Sequence, residues 1–304
     1  MPRRLRRLAI AALITVLVIA ALATALLAAV SFRFPQAAGM VTLGLFQGLP
    51  EGLRDWPPTW KLARGWMSML RRDDPPPDLR SFQARGARVD YLVVALGDST
   101  TAGVMIPPDT AWPHLFEQAL RPRIEGEVRV VNAGNPGEIA PDGRRRLARD
   151  VLSLKPQLVI IGYLINDGRI FHVDAQNRPR VMVDEADFLA ALTEMFAALQ
   201  EADVPTMVFT CHPIHAGIFG FHAKIWPELQ AEEFARRLDG LRRAAERFGV
   251  VVVDTYPAVA AYPHGATLYL ADGMHMGVAG HRLMSELIYA KWNETIRPGE
   301  GLGR

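Results

Sequence analysis

Five short apolar segments along the chain after residue 90 constrain the fold more than any other feature of the sequence. They cover residues 91–96, 128–133, 158–163, 205–210 and 250–254. Most are rich in valine and isoleucine and are apolar at consecutive positions, which is typical of strands that a parallel sheet buries on both faces. We therefore predict five parallel strands in this part of the chain.

The segments between these strands have the periodicity of amphipathic helices. Thr110 stands where a helix cap is expected, with Pro113 in the first turn. Two later segments carry apolar stripes, formed by Phe188, Leu189, Leu192, Met195, Phe196 and Leu199 and by Phe234, Leu238, Leu241 and Ala245. Alternating strands and helices predict an α/β fold, a three-layer αβα domain with a five-stranded parallel sheet and right-handed crossovers.

The size of the chain agrees with one such domain. Of its 304 residues 50% are hydrophobic, which suffices for one sizeable core, and the sequence shows no internal repeat. We predict that this domain covers residues 89–297 and is followed by a short C-terminal tail, residues 298–304.

An uncharged apolar run, residues 8–32, follows four arginines at positions 3–7. As a helix it is roughly 37 Å long, enough to cross a hydrocarbon core of about 30 Å. A signal peptide has a shorter apolar region, about 7–15 residues, although small residues at positions 23–25 keep cleavage as the alternative. We predict that residues 1–32 form a transmembrane anchor.

The distribution of positive charge predicts the orientation of this anchor. Four arginines precede the apolar run, whereas only Arg33 lies just after it. The positive-inside rule then places the N-terminus in the cytoplasm and the rest of the chain outside. The expected location is a bacterial inner membrane, crossed once, with the catalytic domain facing the periplasm or the exterior.

A juxtamembrane linker, residues 33–88, connects the apolar run to the first strand. Trp56, Trp60 and Trp66 lie close together in it, and cations surround the apolar positions around them. This pattern suits an interfacial helix in the headgroup layer, and equally a helix packed on the globular domain. The run of aspartates and prolines at 73–77 is expected to end that helix and act as a stiff spacer.

Charge and cysteine content exclude some classes of function. The net charge is +2, and because the N-terminal arginines carry more than that, the remainder is slightly acidic and offers no basic face for nucleic acid. Cys211 is the single cysteine, so an intramolecular disulfide and a cysteine-rich zinc site are both excluded.

Two strings at opposite ends of the predicted domain carry the chemistry. Ser99 ends the string Gly-Asp-Ser directly after the first strand, and Asp272 precedes His275 by three residues. A serine hydroxyl becomes a nucleophile when a base removes its proton, and a carboxylate can orient that base. Residues 99–103 follow the first strand as a turn, which we call the serine turn, and we expect Asp98 to organise it.

Two further strand ends offer donors for an oxyanion. The second strand ends near Gly134, and Asn166 follows the third. Ligands of open α/β sheets bind at the carboxyl ends of the strands, so a glycine amide, the asparagine side chain and the serine amide form a three-donor hole. Asp167 is expected to cap the loop that follows.

These four motifs, which contain Ser99, Gly134, Asn166 and the pair Asp272 and His275, occur in this order along the chain. The chain thereby resembles the SGNH, or GDSL-type, serine hydrolase family over about residues 89–296. The resemblance implies the flavodoxin-like SGNH hydrolase fold and activity on esters, without a metal or an organic cofactor. It implies a Ser-His-Asp triad and an oxyanion hole, with these residues: Ser99 as nucleophile, His275 as base, Asp272 as its orienter, and the Ser99 amide, Gly134 and Asn166 as oxyanion donors.

The sequence departs from the family pattern beside the catalytic blocks. Leu164 replaces the glycine that usually stands two residues before the asparagine, and Met276 with Gly277 replaces a common Pro-Asn pair after the histidine. The Leu164 side chain is expected to narrow the pocket. We predict substrate contacts from Leu164 and from the segment after the fourth strand, namely Ile218, Phe219 and Phe221.

That segment also contains His212, His215 and His222. Their spacing fits no common zinc pattern, and few carboxylates stand near them in the sequence. We predict a pocket wall or lid here and no metal site.

The sequence supports an ester hydrolase acting on acyl or acetyl esters of lipids or envelope glycans. An O-acyltransferase of envelope polysaccharide uses the same acyl-serine and delivers it to a sugar hydroxyl instead of water. A non-catalytic, membrane-tethered binding or assembly protein on the same fold is the third class, and the complete set of catalytic residues argues against it. No obligate protein partner is indicated.

Overall fold

The computed structural model describes residues 74–296, except 87, 174, 175, 177, 216–226 and 271. The predicted anchor, most of the linker, the C-terminal tail and the three apolar residues Ile218, Phe219 and Phe221 lie outside these described residues. Within them, no helix combines the length and the apolar character needed to cross a bilayer.

Seven strands are present among the described residues. They are β1 (Tyr91–Gly97), β2 (Val128–Gly134), β3 (Leu158–Gly162), β4 (Ile170–Val173), β5 (Pro179–Val181), β6 (Thr206–Phe209) and β7 (Val251–Val253). Five of them form one parallel sheet in the order β2-β1-β3-β6-β7, and β4 pairs antiparallel with β5 in a separate hairpin. The five predicted strands are confirmed, each to within one residue at either end.

The three central strands end at the same level. Gly97 of β1 pairs with Gly134 of β2 on one side and with Gly162 of β3 on the other. The residues that follow these three glycines in the chain therefore meet at one edge of the sheet, as the sequence predicts.

Nine α-helices connect and cover the strands in the described part of the chain. They are α1 (Pro77–Arg85), α2 (Ser99–Ala102), α3 (Trp112–Leu120), α4 (Ala140–Asp150), α5 (Ile165–Gly168), α6 (Glu185–Glu201), α7 (Pro227–Arg247), α8 (Thr255–Ala260) and α9 (Val278–Thr295). Helix α6 packs between α4 and α7, whereas α3 packs against α9. The two groups form the outer layers, which confirms the αβα sandwich.

The predicted apolar stripes face the core. In α6 every stripe residue is buried except Leu189, which is half-buried, and in α7 all four stripe residues are buried. Burial of such side chains stabilises the fold by about 1.5–3 kcal/mol each before the opposing entropy is counted. The helical period in the sequence therefore predicts correctly which faces of these two helices are buried.

The predicted cap at Thr110 is wrong. Helix α3 begins one residue later than that cap requires, after Ala111, and the Thr110 hydroxyl donates to the Pro107 carbonyl oxygen (2.7 Å). The Trp112 amide at the start of α3 instead donates to Nδ1 of His281, 3.2 Å away on α9. The side chain of His281, which is distant in sequence, therefore takes the capping role that we predicted for Thr110. A local sequence pattern does not reveal such a contact.

Helix α1 was not predicted. Pro77 occupies its first turn, so the end of the proline run leads into a helix. Leu79 is completely buried, and Asp78 pairs with Arg129 and accepts a hydrogen bond from the Asn132 amide (2.8 Å). These contacts fix α1 against β2.

Candidate active site

Ser99 lies at the carboxyl end of β1, in the first position of the single-turn helix α2. The Asp98 carboxylate accepts a hydrogen bond from the Thr100 amide (2.8 Å), so Asp98 organises the turn as predicted. Ser99 is buried, with 8% of its surface exposed. The strand and the turn therefore place Ser99 at the carboxyl end of the sheet.

His275 lies in the loop before α9, and Asp272 holds its ring. Nδ1 of His275 donates to Oδ2 of Asp272 across 2.5 Å, while Oδ1 accepts from the backbone amides of Met274 (3.0 Å) and His275 (2.9 Å). This arrangement assigns the hydrogen to Nδ1, which leaves Nε2 as the basic nitrogen.

The same contacts keep Asp272 ionised. Burial by itself raises the pKa of the Asp272 carboxyl, but the hydrogen bond and charge of His275 and the two backbone amides outweigh it. The pKa of Asp272 therefore lies below its usual value, and the carboxylate is charged throughout the neutral range.

The loop that carries Asp272 and His275 lies at the carboxyl end of the sheet, because the His215 amide, which follows β6, donates to the Gly273 carbonyl oxygen (2.8 Å). Nη1 of Arg169, which follows α5, contacts Sδ of Met274 (3.0 Å) in the same loop. Burial raises the pKa of Asp98, the residue before Ser99, to about 6, although the hydrogen bonds from Thr100 and the charge of His275 act in the opposite direction. The structure thus brings the predicted serine, histidine and aspartate to one end of the sheet.

Gly134 does not offer a free donor in this structure. Its amide donates to Oδ1 of Asn132 (3.0 Å). A methyl group at Gly134 would lie 2.2 Å from the backbone nitrogen of Ala102, so glycine is required here for α2 to lie against β2. The structure gives Gly134 a packing role instead of the predicted donor role.

Gly137, three residues further on, is a second glycine of this loop that the sequence analysis did not single out. It has a left-handed φ of 78°, and space around its missing side chain is open. The loop that carries it is fixed to β1, because the Asn135 amide donates to the Gly97 carbonyl oxygen (2.8 Å). The available signal was the turn dipeptide Pro136-Gly137 in the same string.

Asn166 follows β3 on the short helix α5 and is buried. Its Nδ2 donates to the Glu138 carbonyl oxygen (2.9 Å) and, over a longer 3.4 Å, to Oδ2 of Asp98. Asn166 therefore lies between the glycine loop and the serine turn. Asp167 accepts from the Ala140 amide at the start of α4 (2.8 Å), a helix start and not the following loop that we predicted.

Leu164 has 0% exposure, so its side chain is buried in this structure. Its predicted contact with the substrate stays a prediction. The other three predicted substrate contacts, at 218, 219 and 221, lie outside the described residues.

Residues 211–215 form a wall beside the histidine loop. The His215 amide donates to the Gly273 carbonyl oxygen (2.8 Å), and the Tyr269 hydroxyl donates to the Pro213 carbonyl oxygen (2.6 Å). The rings of His212 and His215 both meet Tyr269 edge-on, at 5.6 and 5.7 Å between centroids. In the part of the chain that the structure describes, no three His, Cys, Asp or Glu side chains are placed to hold a metal ion.

Curated relatives resemble the chain at low identity. An uncharacterized lipoprotein, YqeF, from Bacillus subtilis is 28% identical over 179 residues, which cover 54% of this chain and 70% of that protein. An arylesterase from Vibrio mimicus is 34% identical over 76 residues, 25% of this chain and 38% of that enzyme.

Solved structures share the fold. A lipase/acylhydrolase from Enterococcus faecalis superimposes with a TM-score of 0.55 at 25% identity, covering 69% of this chain and all (100%) of that one. The acetylxylan esterase Axe2 from Geobacillus stearothermophilus gives 0.55 at 20% identity, covering 67% of this chain and 94% of that enzyme.

The sequence profile of the GDSL-like Lipase/Acylhydrolase family matches residues 95–283, from the end of β1 into α9. That match includes the serine turn, the glycine loop, Asn166 and the Asp272–His275 loop described above. The chain belongs to this family and is a carboxylic ester hydrolase.

Proposed function

We propose that the protein hydrolyses acyl or acetyl esters through an acyl-serine intermediate, with Ser99 as nucleophile, His275 as base and Asp272 as the residue that orients the base. The observation that carries the proposal is the 2.5 Å hydrogen bond from His275 to Asp272, in a loop at the carboxyl end of the sheet, the same end at which β1 leads into Ser99. It fixes the tautomer in which Nε2 accepts the serine proton.

The reaction then proceeds in two halves. Nε2 of His275 takes the proton of the Ser99 hydroxyl as Oγ attacks the ester carbonyl carbon, and the tetrahedral intermediate expels the alcohol, which receives that proton. A water molecule gives a proton to Nε2 and attacks the acyl-serine in the second half. Collapse releases the carboxylic acid, and the proton returns to Ser99.

Three donors serve the oxyanion in this proposal: the Ser99 amide, the Gly137 amide and Nδ2 of Asn166. Gly137 replaces Gly134 in the set, because the Gly134 amide is already bonded to Asn132. Asn166 has one firm hydrogen bond, to Glu138, and one long one of 3.4 Å, to Asp98. The hydrogen in the long contact is the one available to developing charge on the substrate.

The test of the proposal is Ser99→Ala. Its side chain loses only the hydroxyl, so the fold should remain. Hydrolysis of p-nitrophenyl acetate should fall by about 10⁴–10⁶, since removing a nucleophile leaves only the contribution of the oxyanion hole and binding. A variant that keeps wild-type turnover would remove Ser99 from the mechanism.

We further propose that the substrate is an envelope lipid or glycan ester and that residues 8–32 anchor the enzyme, with its domain outside the cytoplasm. The length of the apolar run and the arginines before it support the anchor. One relative is named a lipoprotein and a structural neighbour an acetylxylan esterase, which supports a surface location and a small acyl group on a glycan.

A further inference from the structure

Arg146 of α4 is a charged side chain buried at the carboxyl ends of two strands. It is 6% exposed, and its Nη2 donates to the carbonyl oxygens of Ala133 at the end of β2 (2.7 Å) and Gly97 at the end of β1 (3.3 Å). Gly97 is two residues before Ser99. The guanidinium therefore ties the start of the serine turn to the start of the glycine loop.

Glu138 is the partner that balances this charge. Its Oε2 accepts from Nε (2.9 Å) and Nη2 (2.7 Å) of Arg146 and from the Tyr163 hydroxyl (2.9 Å), and Asp150 lies 3.3 Å from Nη1. Glu138 is itself only 4% exposed. The pair is thus buried and fully hydrogen-bonded, the condition under which a buried ion pair is tolerated.

The backbone of Glu138 reaches the proposed oxyanion hole directly. Its carbonyl oxygen accepts from Nδ2 of Asn166 (2.9 Å), and it follows Gly137 in the chain. Oε1 of Glu138 also accepts from Nδ2 of Asn135 (2.8 Å), whose own amide is bonded to Gly97. A single side chain, Arg146, therefore supports the three segments that carry the proposed donors.

We propose that the Arg146–Glu138 ion pair is a positioning device that sets the oxyanion hole. Arg146 touches no reacting atom; it acts by holding the serine turn, the Gly137 loop and, through the Glu138 backbone, Asn166 in register. This inference rests on the proposed function of those donors.

Core stability alone does not require the pair. Replacing a buried ion pair by apolar side chains of similar volume is often neutral or even stabilising. An apolar side chain has no donors for the Ala133 and Gly97 carbonyls, and a lysine ammonium lacks the planar fork that contacts a carboxylate and two carbonyls together. The guanidinium therefore holds the ends of β1 and β2 in a fixed relative position, which an apolar side chain does not do.

The experiment compares Arg146→Met and Arg146→Lys with Arg144→Met. Arg144 is on the same helix but at the surface, where it pairs with Glu194 (3.0 Å), so its variant controls for the loss of a cation from α4. Both Arg146 variants should lower kcat by about 10²-fold with KM little changed, as expected when a group is displaced by about 1 Å. Arg144→Met should match wild type.

A double-mutant cycle with Asn166→Ala separates positioning from general weakening. If Arg146 acts by positioning the oxyanion hole, Arg146→Met should lower kcat by a smaller factor in the Asn166→Ala variant than in the wild type. Full additivity, an effect on KM alone, or an unchanged kcat would overturn the proposal. Ser99→Ala is assayed in parallel: if it retains activity, the proposed function fails, whereas its inactivity with an unchanged Arg146→Met removes only the positioning role.

Should the Arg146 variants not fold, Glu138→Gln decides the question. It keeps the size of the side chain and the backbone carbonyl that accepts from Asn166, but it removes the charge that Arg146 pairs with. A lowered kcat at unchanged KM supports the proposal, and wild-type kinetics overturn it.

Discussion

At the scale of single residues, we expect the substitution of Asp272 to cause the largest loss of kcat after that of Ser99. Asp272→Asn preserves shape but removes the charge that holds the hydrogen on Nδ1 of His275. We expect kcat to fall by about 10⁴, because the amide favours the wrong tautomer, while the folded structure persists. Steady-state kinetics from pH 6 to 9 measure it.

The matched control is Asp254→Asn, which loses an exposed ion pair with Arg242 (2.7 Å) and no contact to His275. It should keep wild-type kinetics. Equal losses in the two variants, or full activity in Asp272→Asn, would contradict the role of Asp272.

The residue types of the candidate site could be predicted from the sequence. The choice between Gly134 and Gly137 as the proposed oxyanion donor could not. Gly134 and Gly137 stand in one string, and both follow the same strand. The two glycines differ in whether their backbone amide already has a hydrogen-bond partner. The Gly134 amide has one, because it donates to the side-chain oxygen of Asn132. Leu164 shows the same limit, since position beside Asn166 does not reveal that its side chain points inward.

At the scale of elements, the contact between α3 and α9 depends on a neutral histidine. Burial, together with the charges of His212 and His275, lowers the pKa of His281 to about 3. Its Nδ1 accepts the Trp112 amide, which requires the unprotonated nitrogen. The unfolded chain binds that proton near pH 6.5, so between about pH 6.5 and 3 acid favours the unfolded state.

His281→Asn retains a hydrogen-bond acceptor and removes the titration. Relative to wild type, this variant should lose less unfolding free energy on acidification, with a difference on the order of 2 kcal/mol between pH 7 and 4.5. Urea unfolding at several pH values measures it. The other buried titratable groups are the same in both proteins and cancel, so parallel pH slopes would contradict the assignment.

Elements without periodicity escaped prediction. The β4–β5 hairpin is short and contains Pro179 and Arg180, so it lacks the apolar run that identified the five sheet strands. Helix α1 begins in a proline run that, in sequence, suggests only an interruption. The sheet strands and the long helices were predictable because burial imposes a regular pattern on them.

At the scale of the whole molecule, the proposed substrate depends on which side of a membrane the domain occupies. A fusion at Arg304 tests this: alkaline phosphatase should be active there, and a fluorescent protein that folds only in the cytoplasm should be dark. The reverse pattern would place the enzyme inside the cell and remove envelope glycans as substrates. Release of a shortened soluble protein would show that residues 8–32 are a cleaved signal.

The central claim is that Ser99 is the residue that carries the acyl group. The most direct measurement is reaction with a fluorophosphonate, followed by intact mass and peptide mapping, on wild type, Ser99→Ala and Ser153→Ala; Ser153 is a surface serine whose hydroxyl donates to the Arg149 carbonyl oxygen. We predict one adduct per chain, on Ser99, in wild type and Ser153→Ala, and none in Ser99→Ala. An adduct on another residue, undiminished labelling of Ser99→Ala, or no labelling of the folded wild type would contradict the account.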